Sequence, residues 1–363
     1  MYTKKKLSQK IKILNREISD NIPPLVIAEV SANHNNSIKN TLKLIEQAAK
    51  IGVEAIKFQT FNLDDMTLNL SKKEFLIKNN FKNKDWNRRS LYNLYKEAQF
   101  PFEWHHEAFQ KAKSLGMLCF SSVFDEKSID FLEKLNVPAY KVASLECLHF
   151  PLIKKLCETK KPLIISTGTL NLTEIDELIN FLKKNKCKKF VILHCVTQYP
   201  TEPKNVNLKT ISYLKKKYKC LVGFSDHTSG IGSSINSVGF GSNIIEKHFH
   251  IPSKSKSLDH QFSLDPTEMK IMIKEVNNAW YSIGRIKTKL SNSEIFYKRY
   301  RRSIYASKDI KKNTKFNQQN IKIIRPGLGL MPKYYNKIIG TVTVRNIKKG
   351  QPISKKMLKT NQF

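Results

Sequence analysis

The 363-residue sequence has few acidic residues, no long apolar run and no paired cysteines. No uncharged stretch approaches the roughly 20 apolar residues of a membrane span, and no apolar segment follows the basic N-terminus as it would in a signal peptide. The six cysteines are scattered without a C-x-x-C pair, which excludes a disulfide scaffold. We therefore expect a cytoplasmic protein with no membrane partner.

The scarcity of acidic residues leaves a formal net charge of +34, from 64 Lys and Arg against 30 Asp and Glu. A field of that sign attracts nucleic acids and small anions. The excess is mostly lysine, spread through segments such as LKKKYKC, and no nucleic-acid recognition motif combines it with aromatic residues. We therefore predict solvated helix faces and no nucleic-acid partner.

What the sequence does contain is eight short apolar runs separated by segments of helical period. Strands that helices cover on both faces read as continuous apolar runs, as these do. Eight such units in roughly 250 residues are typical of a (β/α)8 barrel. The alternative, an open doubly wound sheet, would place a glycine-rich phosphate turn after its first strand, and none follows LVIAEVS. The runs are LVIAEVS (25–31), EAIKFQT (54–60), MLCFSSVF (117–124), AYKVAS (139–144), PLIIST (162–167), KFVILHCV (189–196), LVGFSDH (221–227) and NIIEKHFH (243–250).

Three further segments depart from this rhythm. The segment 61–100 is far longer than a usual strand–helix connection. Because such insertions form lids and binding walls, its Trp86 and Tyr92 are candidate substrate contacts. The stretch after residue 285 lacks periodicity and indicates a linker, and an imperfect repeat after it indicates a small domain. We predict an N-terminal extension at 1–20, a barrel domain at 21–285, a linker at 286–300 and a small domain at 301–363, with the repeat at 308–322 and 345–359.

Polar side chains stand at the ends of the predicted strands, where a barrel has its active site. Lysines and hydroxyls are the groups that hold a phosphate and a carboxylate. A structural hydrogen bond could explain any one of them, but it does not explain so many at separate strand ends. They are Glu29, Lys57, Gln59, Ser121, Ser122, Lys141, Ser144, Ser166, Thr167, Thr197, Ser225, Asp226, His227, Glu246 and His248.

Two of these side chains, His227 and His248, end the adjacent seventh and eighth strands. Imidazoles so placed can share a divalent cation. Either histidine alone could be a satisfied core residue, but the pair, with Asp226 and Glu246 close by, favours one metal site.

Four other side chains receive different predictions. His34 follows the first strand and could orient Glu29 or contact a substrate. His105 and His106 begin a helix and are expected at the surface. Cys195 has no obvious base beside it, so we interpret it as a packing residue.

Several motifs, in order, resemble the sialic acid synthase family of nonulosonic acid synthases: IAEVSANHNNS, EAIKFQTF, FSSVFDEKSIDFLEKLNVPAYKVAS, IISTGT, HCVTQYPT, GFSDHTSG and IIEKHFH. RRSIYASKDIKK and IIRPGLGLMPKY resemble that family's C-terminal antifreeze-like (SAF) domain. The resemblance runs over both predicted domains. It implies a TIM barrel followed by an SAF domain.

The resemblance also implies an activity. Members condense phosphoenolpyruvate with the open aldehyde form of an N-acylated amino sugar, giving a nine-carbon 2-keto acid and phosphate. They use Mn²⁺ or Mg²⁺ and form domain-swapped homodimers. By motif, the resemblance implies that His227 and His248 are metal ligands and that Arg325 is the residue that one subunit contributes to its partner's site. The implied phosphoenolpyruvate contacts are Lys57, Ser122, Lys141, Ser144, Ser166 and Ser225, with Thr197 near the phosphate. The residues implied around the sugar and the attacking water are Glu29, Gln59, Glu146, Tyr199 and Asp259.

Motifs also bear on which sugar is used. SANHN, SLYNLYKEAQFPFEWH and CFSSVFD resemble the pseudaminic acid synthases, whereas LHCVTQYPT and SLDHQFSLDP resemble the N-acetylneuraminate and legionaminate enzymes. We favour the former, although Ser257 and Leu258 replace the family's usual glycine and proline before Asp259. The strand-end residues are also compatible with a Schiff-base aldolase that uses Lys57 or Lys141, and the basic small domain with a non-catalytic carbohydrate or nucleic-acid binder.

Overall fold

The computed structural model describes residues 9–78, 86–252 and 256–359. The chain divides into two compact units, one ending at Gly284 and one beginning at Arg285. None of the helices within these described ranges is long and apolar enough to cross a membrane.

The first unit is a closed barrel of eight parallel strands that follow one another in chain order, with the last strand beside the first. The predicted TIM barrel is thereby confirmed, and the alternative open sheet is wrong. Each strand lies within one of the eight apolar runs, because burial on both faces makes such strands apolar throughout. The strands are β3 (Leu25–Glu29), β4 (Ala55–Thr60), β5 (Leu118–Val123), β6 (Tyr140–Val142), β7 (Leu163–Ser166), β8 (Phe190–Cys195), β9 (Leu221–Asp226) and β10 (Ile244–His248).

Helices surround the barrel and pack on the outward side chains of its strands. Val26 and Ala28 join the layer that faces the helices, whereas Leu25 and Ile27 join the barrel interior. This alternation follows the two-residue period of a strand. The helices are α1 (Ile38–Lys50), α2 (Leu63–Met66), α3 (Leu91–Ala98), α4 (Phe102–Ser114), α5 (Glu126–Lys134), α6 (Phe150–Glu158), α7 (Leu172–Lys184), α8 (Lys209–Tyr218), α9 (Gly232–Gly239) and α10 (Pro266–Ile283).

A short hairpin precedes the barrel strands. β1 (Ile11–Ile13) pairs antiparallel with β2 (Arg16–Ile18). The buried Ile11, Ile13 and Ile18 belong to the same apolar cluster as Leu25 and Leu221, the residues that begin two barrel strands. The described part of the predicted extension therefore packs against the amino-terminal end of the barrel.

The second unit contains β11 (Ser303–Ala306), β12 (Ile321–Ile324), α11 (Asn292–Tyr297) and α12 (Tyr335–Ile338), with β11 and β12 antiparallel. A backbone bridge between Ile310 and Ile347 joins the two copies of the repeat, and both side chains lie in the unit's apolar core. The stretch predicted as a linker includes α11, whose first turn is closed by a capping box between Ser291 and Glu294.

Candidate functional site

The carboxyl ends of the barrel strands line a cavity of about 510 Å³. Every residue that the resemblance implies around the substrates lines it, except Arg325. Arg325 lies in the second unit, exposed, directly after β12. The lining residues among those predicted are Glu29, Lys57, Gln59, Ser122, Lys141, Ser144, Glu146, Ser166, Thr197, Tyr199, Ser225, His227, Glu246, His248 and Asp259.

A buried ion pair between Lys57 and Glu29 lies at the floor of this cavity. The Lys57 Nζ also donates to Ser122 Oγ at 2.8 Å and lies 3.8 Å from Glu246 Oε1. Burial alone would lower the pKa of Lys57, but Glu246 and Glu29 outweigh it and raise that pKa. Lys57 is therefore held as a cation.

Lys141 forms a similar arrangement on the neighbouring strands. Its Nζ donates to Ser166 Oγ at 2.7 Å and lies 4.0 Å from Glu246 Oε1. Here burial dominates, so the pKa of Lys141 is lowered. Glu246, which accepts from Ser225 Oγ at 3.2 Å, is shared by the two lysines. The sequence predicted Glu246 only as a strand-end neighbour of the two histidines; its contact with both lysines was not predicted, because only the folded barrel brings them to it.

Glu146 is a cavity carboxylate with little hydrogen bonding around it. Its Oε2 is buried and has no hydrogen-bond partner among the residues that the structure describes. Burial raises the pKa of Glu146 to about 7, although Lys141 acts in the opposite direction. A carboxyl with a pKa near neutrality can both accept and return a proton under physiological conditions.

The two predicted metal ligands do lie together. The ring centroids of His227 and His248 are 5.4 Å apart. The His227 Nδ1 faces the Val196 carbonyl oxygen at 3.0 Å and must donate to it, which leaves the Nε2 lone pair available. The His248 Nδ1 is buried 3.6 Å from Asp259 Oδ2 and forms no hydrogen bond within the described part of the chain.

This donor set fits a catalytic cation. Within the described ranges no group of three or more His, Cys, Asp or Glu side chains is arranged to hold a metal. A cation bound by the two imidazoles would have its other positions open to water and substrate, which is the arrangement that metal-ion catalysis requires. A backbone carbonyl that orients one imidazole is the usual support of such a ligand.

Gly168 and Cys195 complete the wall beside these groups. A Cβ on Gly168 would lie 2.4 Å from Thr197 Oγ1 and 2.9 Å from Ser144 Oγ, so only glycine allows this approach. Cys195, interpreted from the sequence as a packing residue, is buried but lines the cavity with its Sγ 3.8 Å from His227 Nδ1, a nitrogen that donates to the Val196 carbonyl and is therefore not a base for the thiol. The cause is strand register, which sets Cys195 opposite Ser225.

The insertion between β4 and β5 forms an apolar upper wall. Trp86 lines the cavity as predicted, with its ring centroid 5.4 Å from that of Tyr199 and its Nε1 donating to the Leu258 carbonyl. Tyr92 does not line it, and Tyr95, one helical turn further along α3, does. The apolar residues of the described part of the insertion in this wall are Phe61, Met66, Ile77, Leu91, Leu94 and Ala98.

Two histidines do not lie where they were predicted. His34 is fully buried, donates from Nε2 to the Ala98 carbonyl and packs on the rings of Phe100 and Trp104, outside the cavity. His105 is also fully buried rather than at the surface, and its Nε2 forms a 2.7 Å hydrogen bond with Thr60 Oγ1.

Other predictions concern residues beside the cavity. His106 is exposed, as predicted. Ser121, Thr167 and Asp226 are buried but do not line the cavity, because they alternate with residues that do. Ser31, which was not predicted, lines the cavity and accepts from Gln59 Nε2 at 2.9 Å.

A closed (β/α)8 barrel with lysines, carboxylates and imidazoles at its carboxyl end is the architecture of a barrel enzyme. Comparison with known proteins agrees. The NeuB family model matches residues 44–288, and the SAF domain model matches residues 301–359. The chain therefore belongs to the NeuB family, the sialic acid synthase family that its motifs resemble, and is an enzyme of that family with a C-terminal SAF domain.

Individual relatives cover nearly the whole chain. Pseudaminic acid synthase of Campylobacter jejuni is 39% identical over 328 residues, covering 90% of this chain and 94% of the relative. The N,N'-diacetyllegionaminic acid synthase of the same species is 34% identical and covers 91% and 98%. The crystal structure of N-acetylneuraminic acid synthetase from Leptospira borgpetersenii, in complex with citrate, aligns with a TM-score of 0.70 at 29% identity, covering 80% and 96%.

Proposed function

We propose that this enzyme condenses phosphoenolpyruvate with the open-chain aldehyde of an N-acylated amino sugar, and that it is a pseudaminic acid synthase. The observation that carries the proposal is the pairing of two buried lysines, each with a serine hydroxyl, beside two buried histidines. Fixed ammonium and hydroxyl donors in a closed site stabilise an anion that carries both a phosphate and a carboxylate.

Phosphoenolpyruvate would be held by the lysine and hydroxyl groups. Lys57 with Ser122 and Lys141 with Ser166 provide two sets of donors on four adjacent strands, β4 to β7. Further hydroxyls line the same part of the cavity. They belong to Ser144, Thr197 and Ser225.

The proposed cofactor is Mn²⁺ or Mg²⁺, held by His227 and His248. When bound, such a cation polarises a carbonyl oxygen and thereby favours attack on the sugar aldehyde. Tyr199 packs on His227 with ring centroids 4.3 Å apart, and Phe262 packs on His248 at 4.7 Å. These rings limit the access of bulk water to the imidazoles.

The reaction balances as follows. The C3 carbon of phosphoenolpyruvate forms a bond to the aldehyde carbon, whose oxygen takes a proton and becomes a hydroxyl. Water then adds to the cationic C2 carbon and gives up one proton. The new C2 hydroxyl passes its remaining proton to the departing phosphate as the C2–O bond to phosphate breaks, which leaves the 2-keto acid and inorganic phosphate. Glu146 is the proposed acceptor of the water proton, because its buried Oε2 has no hydrogen-bond partner among the described residues and its pKa is about 7. Glu29 is instead committed to Lys57.

The acceptor sugar would lie between the floor and the apolar wall. Gln59, Asp259 and Tyr199 supply polar contacts at the border, and the insertion supplies an apolar surface above them. An acceptor with a methyl group and two acetamido groups suits that surface better than one with an exposed hydroxymethyl chain. The apolar wall supports either 6-deoxy diacetamido acceptor over N-acetylmannosamine, and the 39% identity to a pseudaminic acid synthase, against 34% to a legionaminic acid synthase, supports pseudaminic acid as the product.

A domain-swapped homodimer is part of the proposal, with Arg325 completing the partner's site. Mixing refolded Lys141→Met and Arg325→Ala subunits tests it. Each variant alone should be nearly inactive, and random heterodimers should recover roughly a quarter of wild-type activity, because one of their two sites carries neither change. No recovery, with heterodimers demonstrated by mass, would overturn the swapped arrangement.

The primary experiment measures phosphate release from phosphoenolpyruvate with Mn²⁺. Three acceptors are compared: the 6-deoxy diacetamido altrose, the corresponding mannose-configured sugar and N-acetylmannosamine. We expect release with the altrose sugar, lost with EDTA and restored by Mn²⁺. Release with another sugar alone would overturn the product, and borohydride trapping of a lysine adduct without metal would favour an aldolase.

A further inference from the structure

A second buried ion pair lies next to the histidine pair but outside the cavity. The Nζ of Lys247 lies 3.2 Å from Oδ2 of Asp226, and both side chains are fully buried. In the backbone register of β9 and β10, Lys247 stands directly opposite Asp226. Neither residue lines the cavity.

The position of the pair relates it to the candidate metal ligands. Asp226 directly precedes His227, and Lys247 directly precedes His248. Since successive side chains of a strand point to opposite faces, the ion pair lies on the outer face where the two histidines face inward. It therefore ties the two ligand-bearing strands together one residue before each ligand.

The pair also holds the backbone of Thr228, the residue that follows His227. The Asp226 Oδ1 accepts from the Thr228 backbone N–H at 2.8 Å, and the Lys247 Nζ donates to the Thr228 backbone oxygen. On the far side, Ser234 Oγ of α9 donates to Asp226 Oδ2 at 2.6 Å. The backbone of Thr228, directly after His227, is thus held by side chains of β9 and β10, and α9 anchors one of those side chains.

Stability alone does not account for this arrangement. Desolvation of two charges often costs more than their attraction returns, and apolar pairs of similar volume can be equally stable or more stable. What an apolar pair cannot supply is the set of directional bonds to Thr228. The distinctive property of the pair is therefore the geometry that it imposes.

We propose that Asp226 and Lys247 are positioning residues that hold His227 and His248 at the separation required by one divalent cation. This inference rests on the proposed function, in which that cation lies between the two histidines. Loss of the supports of metal ligands typically weakens metal binding by about 10- to 100-fold.

The test is titration of the apoenzyme with Mn²⁺ alone, with free Mn²⁺ measured by electron paramagnetic resonance. Asp226→Asn and the double variant Asp226→Leu/Lys247→Met are compared with wild type. We expect the Kd for Mn²⁺ to rise about 10- to 100-fold in both, even though the apolar pair retains the melting temperature. Ser234→Ala, which removes one bond to Asp226 and leaves the ion pair, should raise the Kd a few-fold.

A matched control separates positioning from stability. Ile179→Ala on α7 leaves a cavity in the helix layer of the barrel and should lower the melting temperature while keeping the Kd within twofold. If the folded double variant and the Ser234→Ala variant both keep the wild-type Kd for Mn²⁺, the inference is overturned. Failure of the wild-type enzyme itself to bind Mn²⁺ would instead overturn the cation of the proposed function. If the first two variants do not fold, Ser234→Ala decides the outcome.

Discussion

Replacing Glu146 with Gln should make the barrel more stable at alkaline pH and nearly inactive. Burial raises the pKa of this carboxyl from 4.5 to about 7. The unfolded chain therefore releases the proton first, and the folded state is penalised progressively as the pH rises from 4.5 to 7. The difference corresponds to about 3 kcal/mol once both states are ionised.

The glutamine variant keeps the shape of the side chain and cannot ionise. Its free energy of unfolding relative to wild type should therefore increase by about 3 kcal/mol between pH 4.5 and pH 8. All three tryptophans lie at or before residue 280, so their fluorescence in urea reports on the barrel unit alone. Glu177→Gln, an exposed change of the same charge on α7, is the control.

Activity should change in the opposite direction. If Glu146 accepts the water proton, kcat/KM of the wild type should rise with pH to a plateau above about 7, since the ionised form is the active one. The variant should lose that rise and about 10²- to 10⁴-fold in rate. If the difference in free energy of unfolding between Glu146→Gln and wild type does not change with pH, Glu146 does not have the raised pKa. If the variant keeps activity within fivefold of wild type, Glu146 is not the proton acceptor.

Three further outcomes are expected. Gly168→Ala should raise the KM for phosphoenolpyruvate and lower stability by about 1–3 kcal/mol, because its Cβ meets Thr197; unchanged steady-state kinetics and urea midpoint would contradict this. Lys141→Met should weaken phosphoenolpyruvate binding while Mn²⁺ binding persists, as calorimetry can check. The pKa of His105 is lowered to about 4 by burial, so the barrel should lose stability as pH falls from 6.5 to 4, and His105→Gln should flatten that slope in urea titrations.

The barrel could be predicted because its signal is local. Buried parallel strands give apolar runs, and the intervening helices give a 3.6-residue period. The floor of the site followed from the same assignment, since a barrel brings its strand ends together. Lys57, Lys141 and the histidine pair were therefore predicted from position alone.

The errors arose where helix phase or strand register decides the outcome. His105 was expected at the surface, yet α4 buries it together with Ala108, Phe109 and Ala112. That spacing is an apolar stripe of helical period, so the sequence did contain the signal. Tyr92 and Tyr95 differ in the same way, because the rotation of α3 about its axis selects the one that faces the cavity.

The residue that caps the N-terminus of α7 is another feature that the sequence alone does not decide. Asn171 and Thr173 both have side chains that can cap a helix, and in the structure Asn171 is the cap and forms a capping box with Glu174. Cys195 depends on register instead, which no local pattern in β8 encodes. Contacts between strands distant in sequence therefore required the folded chain.

The charges at the site explain why the net charge of the whole chain says little about its chemistry. Lys57 and Lys141 are already opposed in the cavity by Glu29 and Glu246. An anionic substrate that enters would take over these lysines and leave two buried carboxylates less compensated. Such carboxylates raise each other's pKa and favour proton uptake, or they attract a cation to the adjacent histidines. Substrate binding at this site should thus be coupled to protons and metal far more than to the surface lysines, which salt screens beyond about 10 Å.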